Sequence, residues 1–408
     1  MDNNLNPQGV TQQTQPTSPS QSPQFAQPQP VPPPQFAPQS QNVPPQQFVP
    51  QPQYVPQQQF VPQPQYVPRQ PIIPQPQNIP PQQGPDGKLI YQPFDKRIIK
   101  QCRHKAETRW YRRLFVLNIL IIVMAIAYFV YSMDENKKYY DGVVDYYSQV
   151  IEDIKKGDDE TSTDTSDDEN KEQKSLEEEI GETPENIEYL VMIIFTAIAI
   201  PFIVSYAYAQ YRSMSVRITE KNYPEIYAIV EEFAQKLGMK RVPKIYMVQG
   251  DGVLNAFSSF IPFRQYIEIY ADLLEVAYRE YHDMDTIRFI IAHEMAHIHY
   301  KHATMHYYYG MMFSQAIPIL GSTASRAREY SCDRLAQLLS GSDGIEAMMT
   351  LIAGKHLYKQ VDKQDYLNHA REVKGFFLFC YNLICSHPVM TKRVIALADP
   401  ERKSGKLY

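Results

Sequence analysis

The stretch TIRFIIAHEMAHIHYKH, Thr286 to His302, decides how this chain is read. Apolar residues occupy most of its faces, which predicts a buried helix rather than a surface one. Within it HEMAH sets His293 and His297 one helical turn apart, so both imidazoles leave the same face and can grip one ion at about 2.1 Å per bond. Glu294 follows the first histidine directly and can take a proton from water held by that ion, the use this pentad has in metalloproteases. His299 faces away from the pair and His302 lies a turn beyond it, so both are read as structural or solvent-exposed side chains. An H-E-x-x-H pentad arises by chance in about one chain in a hundred of this length, so a further ligand is required.

SRAREYSCDRLAQLL, Ser325 to Leu339, offers that ligand on a second helix. Glu329 and Asp333 are four residues apart and share a face. Glu329 is expected to complete the metal site, and Asp333 to accept a hydrogen bond from the outer nitrogen of a ligand histidine and fix its tautomer. Alone, the same segment reads equally well as a surface helix with Arg326, Arg328 and Arg334 in ion pairs; beside HEMAH the metal reading prevails. Three protein ligands leave one tetrahedral position open, the mark of a catalytic zinc, one Zn2+ per chain. A two-histidine, one-carboxylate iron site uses the same donors but gives no reason for a glutamate beside the first histidine.

Outward from this centre the 408-residue chain changes character sharply. Residues 1–94 form a Pro/Gln-rich tail with too few aliphatic side chains to build a core; it reads as a disordered tether, with a partner that docks polyproline as the second possibility. A basic juxtamembrane segment spans 95–113. Two long apolar runs follow, LFVLNILIIVMAIAYFVYS at 114–132 and YLVMIIFTAIAIPFIVSYAYA at 189–209, each long enough to cross a bilayer of about 30 Å. Pro201 in the second is tolerable inside a membrane. Between them the loop 133–188 holds 20 acidic against 6 basic side chains. Arg and Lys flank both outer ends of this hairpin, so the N-terminus and everything after Ala209 are expected in the cytoplasm, with the acidic loop outside. The loop contains no calcium-binding pattern and reads as a solvated linker. No cleavable signal peptide is expected, because the opening residues are polar.

Residues 210–408 suffice for one domain. EIYAIVEEFAQKLGM predicts a helix starting at Pro224 and ending before Gly238, KIYMVQ and YIEIY short strands, and ADLLEVA a helix. The expected class is α+β: a mainly helical zincin-type domain with a small sheet, preceded by a two-helix transmembrane hairpin. The net charge of -5 averages basic and acidic stretches and gives no sign of a nucleic-acid partner. Four cysteines without a C-x-x-C pair fit free thiols better than a disulfide framework.

Four motifs in order, NAF (255–257), HEMAH (293–297), SRAREYSCD (325–333) and HPVMTKRV (387–394), resemble the integral-membrane zinc metallopeptidases that include the heat-shock protease HtpX and the CAAX prenyl endopeptidases. The likeness runs from about Tyr223 to Leu397. It implies zinc ligation by His293, His297 and Glu329, a general-base role for Glu294 and a supporting one for Asp333. It further implies that Asn255 lies beside the substrate strand and that His387 faces the reaction centre with Arg393 behind it. HtpX-type enzymes place two more membrane spans between the two motif helices, whereas here only HYYYGMMFSQAIPILG intervenes. The catalytic domain is therefore expected on the membrane surface rather than partly within it, with no large intramembrane chamber.

The resulting expectation is an endopeptidase hydrolysing protein or peptide substrates through zinc-activated water, in membrane-protein quality control. His387 would donate a hydrogen bond to the developing oxyanion. The rivals are a peptidase-fold scaffold that no longer cleaves and a signalling module in which the acidic loop senses and the tail recruits.

Overall fold

The structure, a computed structural model, describes residues 80–85, 87–156, 185–279, 281–399 and 405–408. Residues 1–79 of the Pro/Gln-rich tail and 157–184 of the acidic loop lie outside them. The tail boundary at 94 needs correction: Gln82–Gln83 (β1) and Leu89–Ile90 (β2) form a small antiparallel hairpin, and the Phe94 backbone N–H donates to Lys236 O at 2.8 Å. An Asp95 side chain accepting from the Arg97 N–H then starts helix α1, Lys96–Cys102.

Helix α2, Lys105–Glu135, contains the first apolar run, and α4, Glu185–Ser213, contains the second. Both are long and apolar enough to cross a membrane, and most of their apolar side chains are exposed, Phe195 and Phe202 by about seven-tenths. The loop between them is not wholly linker, since Lys137–Lys156 forms a helix, α3.

The rest of the chain wraps around a mixed sheet. Val216–Arg217 (β3), Lys244–Val248 (β4), Ala256–Ile261 (β5) and Arg264–Tyr270 (β6) take the order β3-β4-β6-β5, with β4 and β6 parallel and the other pairs antiparallel. β4, β6 and helices α5 (Pro224–Lys236) and α6 (Ala271–Tyr278) follow the sequence expectation. β5 is a strand the hydrophobic pattern alone does not pick out: AFSSFI mixes serine with apolar residues, and its pairing with β6 supplies what its pattern lacks.

Helix α7, Met284–His299, is the axis of the core. Asp283 caps it, accepting from the Thr286 N–H and hydroxyl at 2.9 and 3.0 Å. Ile287, Phe289, Ile291, Ala292, Met295 and Ala296 are fully enclosed, packed between the inner face of the sheet (Ile267, Ile269) and a second long helix, α9, Leu320–Ser340. Each large apolar side chain so enclosed contributes about 1.5–3 kcal/mol. Gly341, at φ 76°, ends α9 in the left-handed conformation that glycine adopts without a steric penalty. Helices α10 (Ile345–Ala353), α11 (Lys363–Glu372), α12 (Phe376–Ile384) and α13 (Met390–Leu397) complete the chain.

The interval between the two motif helices is not an open connection. Met305–Ala316 forms a helix, α8, that packs along α2 and touches α4 through Tyr309. The Asn118 side chain donates to Tyr309 O at 3.1 Å and accepts from the Phe313 N–H at 2.9 Å, and the Tyr309 hydroxyl donates to Ala197 O at 2.7 Å. Too short to cross twice, the segment instead lies alongside, and the one amide within the first apolar run is satisfied by its backbone.

Candidate metal centre

α7 and α9 cross so that three donors converge. His293 Nε2 and His297 Nε2 are 3.2 Å apart, and the Glu329 carboxylate places one oxygen 3.4 Å from each. All three candidate donor atoms lie within 4.8 Å of one another. His293 and Glu329 are buried, while His297 keeps some access to solvent. The donor set fits a divalent cation. Burial works against a charged imidazole, yet Asp333 and Glu329 push His293 up to about 10, so the pocket strongly favours positive charge. Burial likewise works against a charged carboxylate, but hydrogen bonds from His293, His297 and His387 hold Glu329 well below the usual carboxylate range.

Glu294, buried beside His293, opens onto the same cleft of about 320 Å³, whose walls include His293, His297, Glu329, His387 and strand β5. Among the described residues β5 pairs with β6 alone, and Ala256–Phe260 line the cleft. His387 is largely exposed, with its Nδ1 3.0 Å from a Glu329 oxygen. Asn255 lies immediately before β5, exposed, and outside the lining of the cleft. A larger hollow of about 560 Å³ lies between Leu237–Lys244 and the β5–β6 hairpin, but its lining carries no carboxylate and it does not include the converging donors.

The surroundings of the two histidines differ. Asp333 Oδ1 is 2.9 Å from His293 Nδ1, a close contact in which the ring N–H points off the oxygen. Arg393 grips Asp333 through two contacts of 2.9 and 2.6 Å. His297 Nδ1 instead lies 3.2 Å from His302 Nδ1, and His302 Nε2 lies 3.0 Å from Glu107. Glu107 also accepts from Arg103 Nε at 2.7 Å and from the Ser331 hydroxyl. Burial opposes the charge on Glu107, but hydrogen bonds from His302 and Arg103 hold it at about 2.

Neither Glu107 nor the inward position of His302 follows from local pattern. The one available signal is that Glu107 is the single glutamate among the basic residues 96–113. His297, His302 and Cys332 form a second group of close donors, but burial raises the Cys332 thiol well above its usual range, which disfavours the thiolate a metal needs.

Among known proteins, residues 220–320 match the model of peptidase family M48. No curated protein and no solved structure matches the chain. The matched interval holds HEMAH and strands β4, β5 and β6 but ends before Glu329, so the carboxylate is brought to the site by the fold and lies outside the match. Residues 220–320 are thus similar to peptidase family M48, a metallopeptidase family, and the two histidines of HEMAH within them belong to a cluster of donors that could hold a metal ion.

Proposed function

We propose that the chain is a membrane-anchored zinc endopeptidase in which His293, His297 and Glu329 hold the metal. The observation that carries this reading is the convergence of two imidazole Nε2 atoms and the Glu329 carboxylate at one wall of an open cleft. The narrower likeness to HtpX-type and CAAX prenyl enzymes rests on the four motifs and their order.

A zinc ion in this donor set supplies a strongly acidified water and a Lewis acid for the scissile carbonyl. Glu294 accepts the proton of the attacking water and delivers it to the leaving amine. The open edge of β5 aligns an extended peptide by adding it as a strand, with Asn255 at the entrance to that strand. His387 rests on Glu329 through Nδ1–H, and with its ring doubly protonated it also donates Nε2–H to the developing oxyanion, a contact typically worth about 3 kcal/mol in the transition state. Asp333 and Arg393 hold His293. On the other side a proton relay holds His297: Glu107 accepts from His302 Nε2–H, which leaves His302 Nδ1 to accept from His297 Nδ1–H and turns the His297 Nε2 lone pair to the metal.

The positive flanks of α2 and α4 favour an orientation with the N-terminus and catalytic domain in the cytoplasm and the acidic loop outside. Substrates are then proteins or peptides near the inner membrane surface, which suits a quality-control role. The test is Glu294→Gln in purified full-length protein. It should retain one zinc per chain and lose about 10²–10⁴-fold in peptidase rate. Full activity in that variant removes the proposed base. Absence of zinc from the wild type, together with no cleavage of unfolded proteins, returns the chain to a peptidase-fold scaffold.

A further inference from the structure

The cleft is bracketed by two exposed apolar elements that neither catalysis nor the core uses. On one side is α12, Phe376–Ile384, FFLFCYNLI, whose Phe376, Phe377, Tyr381 and Ile384 are each more than half exposed while only Asn382 is buried. Three residues after its end comes His387 at the metal centre. On the other side is the tip of the β5–β6 hairpin, where Phe263 is completely exposed at φ 73°, a left-handed conformation that is strained for a bulky residue. β5 itself lines the cleft.

Both elements stand level with the apolar runs of α2 and α4. α9 runs antiparallel to the root of α2, Ser331 meeting Glu107 and Ala324 meeting Leu114, so the start of α9 reaches Leu117, one turn inside the first run. There the Ser322 hydroxyl donates to Ile384 O at 3.0 Å, and Arg326 donates to the carbonyls of Leu383 and Cys385 at 2.8 and 2.9 Å, fixing the end of α12 at that height. The hairpin residues Phe260 to Gln265 share a hollow with Pro201, in the middle of the second run. An apolar stretch as short as α12 cannot span a bilayer but can lie in its interface. Exposed apolar elements of this size, standing level with two candidate spans, call for a covering phase rather than water.

We propose that α12 and the Ile261–Phe263 hairpin tip are immersed in the lipid bilayer, so that the catalytic cleft opens at the membrane interface between two lipid-anchored walls. The proposal rests on α2 and α4 being membrane spans. It restricts substrates to segments lying at the interface, and it makes lipid contact of α12 a restraint on His387.

The test uses full-length protein in vesicles whose phosphatidylcholine is brominated on the acyl chains. The single native tryptophan is removed by Trp110→Phe, and one tryptophan is placed at a time by Phe377→Trp, Phe263→Trp, Phe195→Trp in α4, or Leu357→Trp, an exposed site beside α10. Phe377→Trp and Phe263→Trp should lose most of their fluorescence, as Phe195→Trp does, while Leu357→Trp stays bright. Quenching at Phe195→Trp without quenching at the two test sites overturns the proposal and leaves the spans intact. Concentration-dependent protection would then assign the patch to a second copy, and a spectral shift on adding unfolded protein would assign it to substrate. No quenching at Phe195→Trp overturns the spans, and the proposal with them.

Discussion

His293 and His297 stand one turn apart on the same helix, yet they are held by parts of the chain with different origins. The His293 arm is built within the C-terminal domain: Asp333 on α9, clamped by Arg393 on α13, both almost wholly buried. The His297 arm leaves that domain through His302 and ends on Glu107 and Arg103, at the root of the helix that carries the first apolar run. Each arm ends in a carboxylate and arginine pair, one reached directly and one through an intervening imidazole. The difference teaches that the His297 side of the site depends on how α2 is docked, so the isolated domain from residue 210 onward would lack one of its two supports.

Removing one partner of a buried pair should have the largest effect. Asp333→Ala strands the Arg393 guanidinium and should cost about 3–5 kcal/mol, read as a fall in the melting temperature of the purified protein. An unchanged transition would show that Arg393 finds another partner and that the direct arm is dispensable.

Next in size are changes to the relay. Glu107→Gln and His302→Gln should weaken zinc binding about 10–100-fold, measured by competition with a chelator, with Glu107→Asp recovering part of the loss. Equal affinity in all of these variants would reduce the longer arm to packing.

A third buried carboxylate provides the contrast. Glu268 on β6 has a side-chain oxygen without a hydrogen-bond partner, and burial raises it to about 7. The signs are therefore opposite. Glu107 lies at about 2 against an ordinary 4.5, so its contribution is complete above 4.5 and is lost as the pH falls towards 2. Glu268 is raised, so folding binds its proton and stability declines as the pH rises from 4.5 through 7. Glu268→Gln should stabilise the protein by on the order of 1–3 kcal/mol above pH 7 and have little effect near pH 4. Denaturation curves at the two pH values give the answer, and a pH-independent effect would sink this assignment.

The smallest expected effect comes from Arg103→Lys. Its side chain is 38 % exposed against 8 % for Arg393, so the exchange should cost about 1 kcal/mol or less. A larger loss would mean that the relay's arginine is as critical as the buried one.

Much of the candidate site could be read locally because it depends on helical periodicity. The four-residue spacings of His293 and His297, and of Glu329 and Asp333, fix which side chains share a face wherever the helices lie. The two long apolar runs were equally legible, since length and hydropathy alone qualify a segment to cross a membrane. β5 was not, because an edge strand with serines on a partly solvated surface has no strong alternation of its own. The packing of α8 was not legible, because it depends on Asn118 and Tyr309 meeting partners far away in the chain.

The sequence by itself determined that one helix presents two imidazoles and a glutamate, that a second presents two carboxylates, and that two segments suit a bilayer. These are properties of residue order at a fixed helical pitch. Only the tertiary structure decided that Glu329 meets both imidazoles, that His302 turns inward, that Glu107 from α2 meets His302, and that α12 lies exposed at the height of the apolar runs. Those outcomes follow from the packing of elements up to about two hundred residues apart, and neither spacing nor composition encodes the angle at which two helices cross.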